Sequence, residues 1–157
     1  MSHKINLVAK YLHLQNIIIS FVAQTIKMET TENIKNAGLR MTPQRRTVYE
    51  SMMELRHATI DEIIKHVQSK DSEITVSTIY RILDSFCKAD LLSLVFNPDN
   101  GKSYYDITVA EHHHVFKDQQ IMDYKDEKLS ALIRQYLKEK NFAPEDIEKI
   151  QVQIIMH

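Results

Sequence analysis

Apolar residues recur at helical spacing through the first part of this chain. Ile60, Ile63, Ile64 and Val67 form one face, and Ile79, Ile82, Leu83 and Phe86 form another, with polar residues between them. Polar punctuation marks where these helices begin and end. Glu32–Ala37 runs into Gly38, a residue suited to a helix C-terminus. Thr42 and Pro43 open a second helix that continues to Leu55, with Thr42 accepting from an orphan amide and Pro43 at a position that needs no N–H. Thr59-Ile60-Asp61-Glu62 is a capping-box sequence that starts the third. The fourth, Thr75–Lys88, leaves Ser77, Thr78, Tyr80, Arg81 and Asp84 wholly or partly outside its apolar stripe.

After Lys88 the period changes. Leu91–Phe96 and Ser103–Thr108 read as extended segments joined by Asn97-Pro98-Asp99-Asn100-Gly101, a dense set of turn formers, and so predict a hairpin. Helices followed by a hairpin, with small polar residues, a tyrosine and an arginine facing outward on the last helix, predict a winged helix-turn-helix that reads the DNA major groove. Further on, His112–Phe116 and Gln120–Tyr124 flank a tight turn at Lys117-Asp118-Gln119. Asp126–Lys140 offers Leu129, Leu132, Ile133, Tyr136 and Leu137 as a helix face, and Ile150–Met156 alternates like a half-buried strand. The predicted class is α+β: an N-terminal winged helix-turn-helix DNA-binding domain over residues 28–105, then a small α/β dimerisation domain over residues 106–157. Residues 1–27 stand apart. Their apolar run Ile17-Ile18-Ile19-Ser20-Phe21-Val22-Ala23 is short for a membrane span and no small-residue cleavage site follows it, so they read as an upstream leader or a loosely attached helix, with Met28 an alternative start.

Composition changes this picture in two places. A formal charge of −1 over 157 residues gives no general basic field, so contact with nucleic acid has to come from locally clustered bases. A single cysteine, Cys87, excludes an intrachain disulfide framework and a zinc site built from several cysteines, and points to a reducing cytoplasm. Cys87 lies in an apolar helical stretch with Leu83 and Phe86 and reads as a packing residue.

The candidate chemistry is a set of imidazoles and carboxylates. On a strand, His112 and His114 project to one face and His113 to the other, so the first two can grip one ion. Asp106 lies on the strand entering this region and Asp123 on the strand after the turn. Such a set without thiolate suits Fe(II), Mn(II) or Zn(II) and does not choose among them. Taken alone, the three histidines are equally consistent with a solvated strand end, and His57, just ahead of a capping box, reads as a loop residue.

From about Glu29 onward the chain resembles the ferric uptake regulator family of bacterial metal-dependent repressors. The resemblance rests on Gly38-Leu39-Arg40-Met41-Thr42-Pro43-Gln44-Arg45, His57-Ala58-Thr59-Ile60-Asp61-Glu62-Ile63, Val76-Ser77-Thr78-Ile79-Tyr80-Arg81-Ile82-Leu83, and Tyr105-Asp106 followed by His112-His113-His114. It implies a homodimer that binds double-stranded operator DNA, is not an enzyme, and holds a regulatory metal through His57, Asp106, His112, His114 and Asp123. The family pattern is what raises His57 from loop residue to ligand. It implies Fe(II) or Mn(II) at that site, with Zn(II) also compatible. Aspartate at both carboxylate positions resembles the peroxide-sensing branch of the family, in which oxidation of a ligand imidazole releases the metal; by position the candidates are His57 and His112. The runner-up is reversible sensing of iron or zinc by the same ligands. For DNA, the resemblance and the helix pattern point to Tyr80 and Arg81 as base readers, flanked by Ser77 and Thr78, and to Arg40, Arg45 and Arg46 as phosphate contacts.

There are also departures from the family. It commonly carries two Cys-x-x-Cys pairs for a structural zinc, and this chain has neither, so dimer stability falls to the apolar residues of 150–156 and 129–137. A further metal site common in the family looks degraded, since Glu111 and His113 remain but no histidine occurs between His114 and His157. A hydrolytic metalloenzyme is the competing class. It fares badly, because five protein ligands leave little open coordination and no separate general base lies near the cluster.

Overall fold

The computed structural model describes residues 2–107, 111–147 and 149–156. The first helix, α1, spans Ser2–Asn36, so the short helix expected at Glu32–Ala37 is the end of a much longer one. No glycine or proline interrupts residues 2–36, and the leader therefore runs into the domain without a break. The end is where expected: Gly38 takes φ +75 and Leu39 N–H donates to the Ile34 carbonyl at 3.1 Å, closing the last turn. At this end Ile34 is fully buried, whereas Ile17, Ile18, Ile19, Phe21 and Val22 are exposed. Among the described residues, no helix is long and apolar enough to cross a membrane.

Three shorter helices follow with the predicted caps. In α2 (Pro43–Leu55) Thr42 accepts from the Arg45 N–H, and in α3 (Ile60–Lys70) Thr59 and Glu62 form the complete capping box. In α4 (Val76–Lys88) Thr75 accepts from the Thr78 N–H, so Thr75 is the cap and not the first helical residue. The apolar stripes of α2, α3 and α4 meet around Val48, Met52, Ile63, Val67, Ile79, Leu83 and Phe86, with Ile34 of α1 sealing one side and Tyr49 edge-on to Phe86. Cys87 is half-buried against this core, and burial first, then Asp84, pushes its thiol up, which suits packing better than nucleophilic attack.

The hairpin is β2 (Leu92–Asn97) and β3 (Lys102–Ile107), antiparallel, with Leu92 opposite Ile107. Thr108, expected as the end of the second segment, lies outside the described residues. A two-residue strand, β1 (His57–Ala58), joins the free edge of β3 to give the order β1-β3-β2. Sequence patterning did not foresee it. Two residues are too few for any period, and β1 forms because Arg56 turns the chain sharply at φ 65, ψ −71 and its carbonyl accepts from the Ile107 N–H at 3.3 Å. Those angles are those of a tight γ-turn, a strained conformation for a residue with a side chain.

A second sheet pairs β4 (His113–Lys117) antiparallel with β5 (Gln120–Tyr124) and parallel with β6 (Gln153–Ile155). Asp118 and Gln119, at φ 51 and 65, make the two-residue turn between β4 and β5, with both central residues left-handed as a tight hairpin needs. The strand expected over Ile150–Met156 contracts to three residues, because β6 pairs only with His114, Val115 and Phe116. The last helix, α5 (Glu127–Glu139), is capped by Asp126 and has no buried residue.

Candidate metal centre

Two strand pairings, one in each sheet, build the site. In the first sheet His57 of β1 stands directly opposite Asp106 of β3; in the second His114 of β4 stands opposite Asp123 of β5. Directly opposed residues share a face, so each sheet delivers one imidazole and one carboxylate side by side. His112, just ahead of β4, adds a third imidazole. Asp106, expected on the strand entering the second unit, is thus the penultimate residue of β3 in the first sheet. The cluster spans both halves of the chain, and one ligand atom from each of the five residues lies within 4.8 Å of all the others.

The inner spacings are those of a coordination shell. His57 Nε2 is 3.2 Å from Asp106 Oδ1 and 3.1 Å from Asp123 Oδ1, and His112 Nε2 is 3.3 Å from Asp106 Oδ2 and 3.1 Å from His114 Nε2. For ligand bonds of about 2.1 Å, adjacent donors lie about 3.0 Å apart on an octahedron and about 3.4 Å apart on a tetrahedron. His57 Nε2 is buried and makes no well-aligned hydrogen bond, although two carboxylate oxygens are within ion-pair range. The carboxylates thus stand off its hydrogen-bonding direction. Asp106 is 1% exposed. Burial pushes its carboxyl up, but the imidazoles of His114, His57 and His112 close around it outweigh burial and hold it well below the usual carboxylate range. Two carboxylates facing three imidazoles in a largely buried space fit a divalent cation, which would neutralise both.

The structure brings all five sequence-predicted ligands together and leaves His113 out. His113 is buried on the opposite face, where Nδ1 accepts from the Val152 N–H at 3.3 Å and Nε2 lies 3.2 Å from Ser130 Oγ. Glu111 is paired with Arg134 at 2.8 Å. His113 and Glu111, the two residues expected to remain of a further metal site, are therefore both engaged by protein groups. Two neighbours of the cluster escaped sequence reading. Ser93, opposite Asp106 in the hairpin, donates to Asp106 Oδ2 at 3.2 Å, and Gln151 lies 3.1 Å from His114 Nδ1. The hairpin register pointed to Ser93; no local pattern pointed to Gln151.

Three of the expected DNA-facing residues, Arg45, Thr78 and Arg81, come together near the N-terminal end of α4. Thr42, Gln44, Arg45, Thr78, Arg81 and Ile82 line one open cleft, where α4 meets the start of α2. Tyr80 is exposed beside it, and Ser77 Oγ lies 3.1 Å from Thr75 Oγ1 at the cap. Arg45 Nη1 donates to the Arg40 carbonyl at 2.7 Å, which ties the exposed Arg40 segment to the start of α2. Arg46 does not line this cleft; its Nε is buried without a hydrogen-bond partner.

Residues 36–153 match the model of the ferric uptake regulator family. The chain belongs to the ferric uptake regulator family. Among its relatives, a ferric uptake regulation protein homolog of Archaeoglobus fulgidus is 31% identical over 113 residues, covering 71% of this chain and 87% of that protein. The peroxide operon regulator of Bacillus subtilis is 31% identical over 87 residues, covering 55% of this chain and 59% of that protein. The match to the Bacillus subtilis protein thus reaches about three-fifths of its length, as does the match to the ferric uptake regulation protein of Haemophilus ducreyi, at 61%. Two solved structures share the fold. The ferric uptake regulator of Pseudomonas aeruginosa with manganese has a TM-score of 0.69 at 18% identity, over 82% of this chain and 96% of that one. The Campylobacter jejuni peroxide stress regulator has a TM-score of 0.63 at 24% identity, over 82% of this chain and 93% of that one.

Proposed function

We propose that this chain is a homodimeric, metal-dependent transcriptional repressor of the ferric uptake regulator family whose grip on operator DNA is released by hydrogen peroxide. The observation that carries this reading is the five-residue cluster spanning both halves. His57 and Asp106 come from the sheet attached to the DNA-reading helices, and His112, His114 and Asp123 from the second unit. A divalent ion held by all five, Fe(II) or Mn(II) with Zn(II) also compatible, would draw the two units into one arrangement. The DNA-binding domain, expected over residues 28–105, then extends to Ile107 at the end of β3, and the remainder of the chain serves as the dimerisation domain.

In that arrangement Arg45 and Arg40 would lie against phosphates while Tyr80 and Arg81 reach base edges from α4, flanked by Ser77 and Thr78. The second copy would cover exposed Leu132 and Tyr136 of α5 together with Met122, Tyr124 and Ile155 of the second sheet and Met156 just after it. Because metal and DNA would favour the same state, loading the site raises DNA affinity by linkage, and a tenfold effect needs only about 1.4 kcal/mol of differential binding.

The peroxide branch is supported by aspartate at both carboxylate positions and by the peroxide operon regulator among the relatives. Bound Fe(II) would promote the reaction of an imidazole C–H of His57 or His112 with hydrogen peroxide, giving the oxo-imidazole and water. An oxidised ring is a poorer ligand, so the two units lose their tie.

The test is anaerobic Fe(II) loading, binding to a duplex selected from a random library, and dilute peroxide followed by peptide mass spectrometry. The expected result is one added oxygen on His57 or His112 with loss of DNA binding. Unmodified histidines with retained binding would remove the peroxide reading. If binding then follows free metal alone, the chain is a reversible sensor of metal availability, as the ferric uptake names of other relatives suggest.

A further inference from the structure

Two polar side chains meet the candidate ligands from outside the cluster, Ser93 at Asp106 and Gln151 at His114, and the second reaches a ring nitrogen. His114 Nε2 faces inward, 3.1 Å from His112 Nε2, and His114 Nδ1 faces Gln151, whose amide nitrogen lies 3.1 Å away. The backbone on either side of Gln151 is anchored. Ile150 is 6% exposed, the His114 N–H donates to the Val152 carbonyl at 2.9 Å, and the Val152 N–H donates to His113 Nδ1 at 3.3 Å. Gln153 then pairs with His114 in the parallel ladder. The C-terminal segment thus presents one amide to the outer nitrogen of a candidate ligand.

We propose that Gln151 is a positioning residue for the metal centre, selecting the tautomer in which His114 can bind a cation. The inference rests on the reading of the cluster as a metal site. A metal-binding Nε2 must offer a lone pair, which places the ring proton on Nδ1 and requires an acceptor there. A glutamine amide supplies one. Rotation of its terminal group by half a turn exchanges NH2 for C=O with no other change in shape. With the nitrogen toward Nδ1, the amide donates and the ring proton resides on Nε2, the form suited to a ring without an ion. With the oxygen toward Nδ1, the amide accepts and Nε2 is freed to ligate. An aliphatic side chain does neither, and a carboxylate serves the second state alone.

The test uses Co(II), whose visible absorption reports coordination, titrated against a competing chelator on the full chain. The proteins are the wild type, Gln151→Leu, Gln151→Glu and His114→Ala, and the melting temperature of each is measured without metal. Gln151 is exposed, so its replacement removes no core packing. Gln151→Leu is expected to bind Co(II) roughly tenfold more weakly with an unchanged metal-free melting temperature, while Gln151→Glu stays within about threefold of wild type or binds more tightly. Wild-type affinity in Gln151→Leu, equal losses in the leucine and glutamate variants, or a metal-free melting temperature that falls with the affinity would each overturn the proposal. A wild type that takes up no Co(II), or His114→Ala binding as tightly as wild type, would instead overturn the reading of the cluster itself.

Discussion

The two halves of the molecule bury opposite kinds of residue. Around α2, α3 and α4 the interior is a continuous apolar cluster, from Ile34 through Phe86 to Ile107. In the second half, Phe116 and Ile150 are the buried apolar residues among those described, and they are accompanied by buried His112, His113 and His114, while α5 buries nothing. Leu132, Tyr136, Phe142 and Met156 face outward. The contrast shows where stability resides. The first half can close its own core, and the second half needs something added, which on the proposed reading is a cation in the middle and a second copy along the outside.

The comparison breaks most visibly by truncation. Phe86→Ala should destabilise the chain by about 3–5 kcal/mol in urea unfolding, since it empties the centre of the first core. Leu132→Ala, at 65% exposure, should change monomer stability by less than about 0.5 kcal/mol. It should instead raise the protein concentration at which dimers form, read by analytical ultracentrifugation; equal effects of the two variants on urea unfolding would erase the distinction between the halves.

A metal ion should act in the opposite direction, on the second half. Mn(II) at a hundred times its dissociation constant should stabilise the folded chain by about 2.7 kcal/mol. The gain in amide-exchange protection should be larger at 112–123 than at 76–88, and a uniform gain would speak against the local deficit. Smaller still is the cap of α3. Thr59→Ala removes one arm of the capping box and should cost about 1 kcal/mol, measured by thermal unfolding, with no change in metal uptake.

The smallest expected effect is at Glu54, which binds Lys70 at 2.7 Å and His66 at 2.9 Å across α2 and α3. The Lys70 hydrogen bond, opposed by slight burial and aided by His66, holds its carboxyl below the usual range. A depressed carboxyl stabilises the fold at pH values above the ordinary carboxylate range, and that contribution fades as pH falls through the folded value. Glu54 is largely exposed, so Glu54→Gln should cost less than about 1 kcal/mol at neutral pH and nothing in acid. A larger loss would mean that the first half relies on surface charge more than its core implies.

Legibility followed the same division. The helices and caps of the first half were readable because each has a stripe and a polar start, and the hairpin because its turn is dense in turn formers. The long α1 was not, since the apolar residues of its sequence follow no helical period. His112 and His114 were readable from strand alternation and Asp106 from its place in the hairpin. His57 was not readable from its surroundings, because its strand is two residues long and depends on a contact with Ile107 far along the chain. Gln151 was hidden for the same reason: its partner is 37 positions away.

On the proposed reading, one ion ties the two halves together through His57. Mn(II) titration of the wild type and His57→Ala, followed by equilibrium dialysis and metal analysis, tests it directly. The account predicts one ion per chain in the wild type and affinity lower by at least roughly a hundredfold in His57→Ala, with the melting temperature of the metal-free protein little changed. Equal affinity in the two proteins would contradict it.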